Sequence, residues 1–338
     1  MLSRVAHLES AFTDTPTAVL VTEYRGREHH LRLKYESFNP SGSIKDRTAA
    51  GLLMVMDRQA PLTPGTVVVE STSGNLGLAL ARQLAEIDCR LIAVIDPKTP
   101  PATRDSLAAA GVEVCHVDSP DGFGGYQLTR LERVRALCAG NPGYRWPNQY
   151  ASFANPWIHQ LTTGPEIVAQ GGPDLDAVYV AVSTGGTLAG ISAHLRSVDQ
   201  QIRVVAVDAE GSMVTGTAPG RRHLAGIGAS RPSAFLTPYA YDGAVRVGDA
   251  ESIAVCRILR DDTGVALGGS SGCVLRACLT ELAGDQPPRS PLCLCPDGGD
   301  RYQATVYDDA WLTTVGIAEE VRLAETRLRN DGLRFQNG

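Results

Sequence analysis

The sequence predicts an α/β protein of two domains, each a twisted, mostly parallel sheet flanked by helices, and three observations carry that prediction. Short β-branched runs alternate with helical patterns from about Thr66 onward, as consecutive βαβ units do. The alternation breaks at a Pro/Asn/Trp-rich stretch, residues 141–157, and then restarts. With 338 residues, 43% of them hydrophobic, the chain can bury one large or two medium cores, and its length favours two domains with a cleft between them.

In the first series, residues 67–70, 90–96 and 112–117 read as strands, with helices at 76–86, 102–110 and 125–138. In the second, strands are expected at 177–182, 203–208, 265–267 and 291–295, with helices at 188–196, 252–261 and 274–282. Residues 211–246 are Gly/Pro-rich and show no periodicity. Cys293 and Cys295 alternate within Pro-Leu-Cys-Leu-Cys-Pro, so a buried strand places both thiols on one face, where free cysteine packs as a small hydrophobe.

Composition closes off several classes of function. Basic residues number 31 against 37 acidic ones, and no Lys/Arg run could track a phosphate backbone, so nucleic acid is not the expected partner. The N-terminus lacks the roughly 7–15-residue apolar core of a signal peptide, and no apolar run approaches the roughly 18 residues of a membrane span. A cytoplasmic chain without a membrane partner is therefore expected. The eight cysteines include no C-x-x-C and the histidines no H-E-x-x-H, which leaves neither a disulfide framework nor a metal site to expect. Only Lys34, Lys45 and Lys98 are lysines. Since a guanidinium stays protonated and cannot form an imine, any lysine chemistry narrows to these three.

Four short segments stand where strands or loops feed helices. Ser183-Thr184-Gly185-Gly186-Thr187 follows a strand and opens a helix, so its amides and hydroxyls can surround a phosphate at the positive helix end; it serves equally as an ordinary tight turn. Ser71-Thr72-Ser73-Gly74-Asn75 offers three hydroxyls, free amides and a side-chain amide to a small anion such as a carboxylate, or simply caps the next helix. Residues 39–47 place Lys45 just inside a helix start, where the helix dipole favours its neutral, nucleophilic form; a solvated surface lysine is the alternative. Gly268-Gly269-Ser270-Ser271-Gly272 starts another helix.

Taken together and in this order, the four segments resemble the fold-type II pyridoxal-phosphate family that includes cysteine synthase, cystathionine β-synthase and the tryptophan synthase β subunit, over a match from about Thr15 to Tyr302. The resemblance implies that pyridoxal 5'-phosphate is bound through a Schiff base to Lys45. It implies that Asn75 contacts the ring hydroxyl, that Ser183, Thr184, Gly185, Gly186 and Thr187 hold the phosphate, and that Ser270 faces the pyridine nitrogen. Ser71, Thr72, Ser73, Gly74, Asn75 and Gln149 would bind the substrate. The implied division is a smaller mobile domain at 35–152 that carries Lys45, a larger phosphate-binding domain from 12–34 plus 153–320, and terminal extensions at 1–11 and 321–338. A homodimer acting on small amino acids by β-replacement is implied as well.

Within the family, the stretches at residues 70–77, 124–130, 148–151, 226–231 and 297–302 resemble the 2,3-diaminopropionate-pathway synthases of siderophore and peptide-antibiotic biosynthesis, which join O-phospho-L-serine to L-glutamate. Arg130, Tyr150 and Ser183 are the candidates for a departing phosphate, which needs cationic or hydroxyl partners; a helix-surface role is the alternative for Arg130. Arg221, Arg222 or Arg231 could serve the carboxylates of glutamate, and the roles of Asp297 and Arg301 are open. Competing readings are a cysteine synthase using O-acetylserine or O-phosphoserine with sulfide, a cystathionine-type synthase, and a catalytically silent amino-acid or peptide-binding module.

Overall fold

The computed structural model describes residues 14–72 and 74–338. Ser73, expected in the anion-binding loop, and the expected extension 1–11 lie outside the described residues. The chain opens with an antiparallel hairpin, β1 (Thr17–Tyr24) and β2 (Arg27–Tyr35), then a short 3-10 turn at Glu36–Phe38 and helix α1 (Lys45–Gln59). The first series follows: β3 (Val67–Ser71), α2 (Asn75–Ala85), β4 (Arg90–Ile95), α3 (Pro101–Ala109), β5 (Glu113–His116) and α4 (Gln127–Gly140). Its strands form a parallel sheet in the order β3-β4-β5.

Helices α5 (Ala154–Leu161) and α6 (Thr163–Gly171) lead into β6 (Ala177–Ala181), α7 (Gly186–Val198), β7 (Arg203–Ala209) and β8 (Gly243–Val247). Then come α8 (Asp249–Thr263), α9 (Gly269–Leu282), β9 (Pro291–Cys295), α10 (Asp309–Val315), α11 (Ala318–Asn330) and β10 (Arg334–Asn337). The larger sheet has the order β10-β1-β2-β9-β6-β7-β8. From β2 to β8 its strands run parallel, and β1 is antiparallel to both of its neighbours.

Side chains alternate across each sheet, so continuous apolar strands feed two cores at once. In the smaller sheet Val68, Leu91, Ala93 and Ile95 pack with α1 and α2, while Val67, Val69, Ile92 and Val94 pack towards Val134 of α4. In the larger one Val178, Val180, Val204, Leu292 and Leu294 face Leu188, Ile191 and Leu195 of α7. Tyr179, Val205, Cys293 and Cys295 face α8 and α9 on the other side, so the two thiols share one face.

One local expectation is corrected. Residues 265–267 form no strand, only the single bridge from Leu267 to Gly298, because the run is three residues long and hemmed by glycines at 264, 268 and 269. Within the stretch 141–157, α5 begins at Ala154 and keeps Pro156 in its first turn, where a missing amide hydrogen does no harm. Residues 321–338, expected as an extension, hold most of α11 and all of β10, which pairs with β1. Among the described residues no helix is long and apolar enough to cross a membrane, and no group of His, Cys, Asp or Glu could hold a metal ion.

Candidate active site

Loops at the carboxyl ends of β3, β6 and β9, the usual ligand-binding edge of an open α/β sheet, enclose a cleft of about 630 Å³ with its mouth included. Lys45, Thr72, Gly74, Asn75, Gln149, Tyr150, Ser183, Thr184 and Ser270 line it. A hollow on the β6 and β9 side continues it along Lys45, Ser183, Thr184, Gly185 and Thr187. Gly186 is buried in the first turn of α7, and Ser71 is buried at the end of β3, where its hydroxyl accepts from Arg130 Nε at 3.1 Å.

Lys45 is the first residue of α1. The Ile44 amide donates to Pro296 O at 2.9 Å and its side chain sits in the core of the larger sheet, whereas α1 packs on the smaller one. The lysine is thus pinned at the seam between the two cores. Nothing among the described residues hydrogen-bonds or pairs with its amine. Burial pulls that amine below the ordinary lysine range, against the opposing fields of Asp297 and Glu36. The sequence pointed to the helix start as the cause; the structure adds desolvation by burial.

Asn75 opens α2 with its amide clamped between two partners: Nδ2 donates to Asp297 Oδ2 at 2.6 Å and Oδ1 accepts from Arg301 Nη1 at 2.7 Å. One N–H and one lone pair remain for a ligand. Asp297 is buried, also accepts from the Tyr302 hydroxyl at 2.5 Å, and has its carboxyl pushed up by burial while Tyr302, Asn75, Arg301 and Lys45 pull it down. Asp297 and Tyr302 line the cleft, and sequence reasoning gave neither a role there. Thr72 shapes the other loop: its Oγ1 accepts from the amides of Gly74 at 3.1 Å and Gly77 at 3.0 Å. Gln149 Nε2 donates to Ser71 O at 2.6 Å, which ties the 148–151 loop to the end of β3.

Arg130 is not a surface residue. It is buried, ion-paired with Asp96, and extends Nη2 to the Tyr150 hydroxyl at 3.5 Å. Burial holds the Tyr150 phenol protonated, with Arg130 opposing. Arg130, Tyr150 and Ser183 together line a second cavity of about 470 Å³, which shares Tyr150, Ser183, Ala225 and Gly226 with the cleft.

A family model described as pyridoxal-phosphate dependent enzyme matches residues 9–297. The chain belongs to that family. It is also 40% identical over 304 residues, 90% of each chain, to the N-(2-amino-2-carboxyethyl)-L-glutamate synthase of Ralstonia nicotianae. Among solved structures it is similar to the O-acetylserine-dependent cystathionine β-synthase of Helicobacter pylori, at TM-score 0.78 and 27% identity over 90% of this chain and 98% of that one. The cysteine synthase of Entamoeba histolytica gives TM-score 0.79 and 27% identity over 89% and 90%.

The protein is thus a pyridoxal-phosphate dependent enzyme of the cysteine synthase-like fold that catalyses β-replacement. Its own residues fit the cofactor, since an unpartnered, desolvated amine faces a glycine turn at the start of a 13-residue helix. Gly185 has φ +87°, and a Cβ there would overlap Ser233 and Leu236; a Cβ at Gly186 would overlap Asn155. Gly185→Ala, at roughly 1–3 kcal/mol of backbone strain, is expected to weaken cofactor retention by ten-fold or more, measured by dialysis against graded pyridoxal phosphate. Unchanged retention would remove the turn from the cofactor site.

Proposed function

We propose that this enzyme joins O-phospho-L-serine to the amine of L-glutamate, giving N-(2-amino-2-carboxyethyl)-L-glutamate and phosphate. One observation carries the reading: Arg130, Tyr150 and Ser183 converge on a cavity continuous with the Lys45 cleft. The Ralstonia nicotianae relative, named for the same product, supports it.

The turn at residues 183–187 would hold the cofactor's phosphate and Asn75 and Ser270 would contact its ring, and when bound it supplies an electron sink that makes the α-proton of an amino acid removable. Lys45 Nζ takes that proton from Cα as general base. The Thr72–Asn75 loop and Gln149 hold the α-carboxylate. Because Arg130 donates to the Tyr150 oxygen, the phenolic hydrogen is left free to donate to the departing phosphate. Ser183 Oγ donates to Gly228 O at 3.1 Å and reaches the phosphate by rotation about χ1. The Cβ–O bond breaks with its electron pair on phosphate, a Cβ–N bond forms as the glutamate amine gives up a proton, and the protonated Lys45 amine returns a proton to Cα. Closure of the smaller-sheet unit keeps water out between these steps. The homodimer belongs to the same reading and is checked by light scattering.

The test combines O-phosphoserine and L-glutamate, following phosphate release and the adduct mass. Tyr150→Phe is expected to lower kcat/KM for O-phosphoserine about ten-fold or more, the loss of a hydrogen bond to a charged group at roughly 1.5–3 kcal/mol, with O-acetylserine much less affected. Turnover of O-acetylserine and sulfide with none of O-phosphoserine would overturn the assignment in favour of a cysteine synthase.

A further inference from the structure

The second cavity carries a wall of donors, two of them cations that make no ion pair among the described residues. Lys98, beyond the end of β4, donates through Nζ to Gly124 O at 2.9 Å and to Arg222 O. Arg222 is buried and donates to Gly211 O, to Gly220 O at 3.5 Å and to Ser230 Oγ at 3.4 Å. Neither cation forms an ion pair among the described residues, although Asp96, Asp121 and Asp249 act on Lys98, and Asp121, Asp208 and Asp249 on Arg222, from beyond contact distance. Asp96 pairs with Arg130. Asp121 accepts the amides of residues 123, 125 and 128, and Asp249 that of His223. Burial, with Arg222 next, pulls the Lys98 amine down, as expected of a desolvated cation beside another.

Gln127 at the start of α4 completes the wall. Its Oε1 accepts from the Ser230 amide at 2.7 Å, while its Nε2 is buried with no hydrogen-bond partner. A buried donor without an acceptor, a buried guanidinium and a half-buried ammonium, neither cation in an ion pair, face one cavity, and an anion that brings acceptor oxygens satisfies all three.

We infer that Lys98, Gln127 and Arg222 form the binding site for the carboxylates of the second, nucleophilic amino acid, and that they select a dicarboxylic one. Thr72 and Gln149, the carboxylate site for the first substrate, line the cleft, whereas Gln127 and Arg222 line only the second cavity and Lys98 lines it and a neighbouring hollow. A dicarboxylate anchored on them presents its amine past Tyr150 and Ser183, which border both spaces, towards the carbon that phosphate has left. The inference rests on the proposed reaction and says where its second substrate sits.

Gln127→Glu is the sharpest probe: it keeps an oxygen for the Ser230 amide, so the loop is retained, and replaces the orphan donor with a negative charge. We expect it to raise KM for L-glutamate ten-fold or more and to erode the preference for L-glutamate over L-glutamine, with Lys98→Met acting in the same direction. Glutarate, which carries two carboxylates and no amine, should inhibit competitively against L-glutamate. Adduct formation with the glutamate KM of both variants within two-fold of the unaltered enzyme overturns the inference alone, as does a shift confined to the O-phosphoserine KM. No adduct from the unaltered enzyme removes the proposed reaction and this site with it.

Discussion

Replacing Lys45 with alanine is expected to abolish the visible band of lysine-bound cofactor and to lower adduct formation by at least about 10³-fold, within the roughly 10²–10⁴-fold span of a positioned acid–base group. The protein should remain folded. The Lys45 amine has no partner among the described residues, so its removal breaks no ion pair, and the melting temperature should stay within a few degrees of the unaltered protein. A small primary amine such as ethylamine, added with saturating cofactor, should restore part of the rate, because what is missing is a base at one point. The pH dependence has a definite sign. Burial lowers the Lys45 proton affinity, so the neutral amine needed to capture the cofactor aldehyde is populated at lower pH than for a solvated lysine. Cofactor loading onto the apoenzyme should therefore rise with pH and level off below the ordinary lysine range. Loading that keeps climbing through that range would show an amine that is solvated, contrary to the structure.

What was legible in the sequence follows from how each element is buried. β3, β4, β6, β7 and β9 are covered on both faces and so read as unbroken apolar runs. β2, Arg-Glu-His-His-Leu-Arg-Leu-Lys-Tyr, escaped notice because only Leu31 and Leu33 give it an apolar core face, and its buried Lys34 is charge-compensated rather than hydrophobic. β8, half exposed at the edge of the larger sheet, carries too little pattern to stand out from the Gly/Pro-rich stretch before it. The loops that line the cleft were legible because each is contiguous: a glycine turn and hydroxyls within five residues announce themselves. The second cavity was not, since Lys98 and Arg222 stand 124 positions apart and meet only where the loop at Gly124 abuts that at Gly220. Arg130 shows the same limit. Its place on a helix was readable, but whether it faced solvent depended on Asp96, 34 positions earlier.

Arg47→Met is expected to destabilise the fold by about 3–5 kcal/mol, the usual result of removing one member of a buried ion network. Arg47, two residues after Lys45, is fully buried. Its guanidinium grips Glu36 through Nε at 2.8 Å and Glu166 through Nη2 at 2.8 Å, and Lys34 Nζ meets Glu166 at 2.7 Å. Two cations and two carboxylates balance, linking β2 and the Glu36–Phe38 turn to α1 and α6 and so fixing the start of the helix that presents Lys45. Removal of Arg47 leaves two buried carboxylates to one lysine. Removing Glu166 as well restores the balance as a Lys34–Glu36 pair, so Arg47→Met/Glu166→Met should be much less destabilised than Arg47→Met alone, a non-additivity read from denaturant unfolding. Acid supplies the second check. Burial pushes the Glu166 carboxyl up, but Arg47 and Lys34 more than offset it and leave it below the usual range. A carboxyl depressed in the folded state contributes stability above its unfolded pKa and loses it as pH falls through the folded one. The stability gap between the unaltered protein and Arg47→Met should therefore be widest near neutrality and narrow as the carboxylates protonate. A gap that persists unchanged into acid would mean that Arg47 acts by packing, with its charge playing no part.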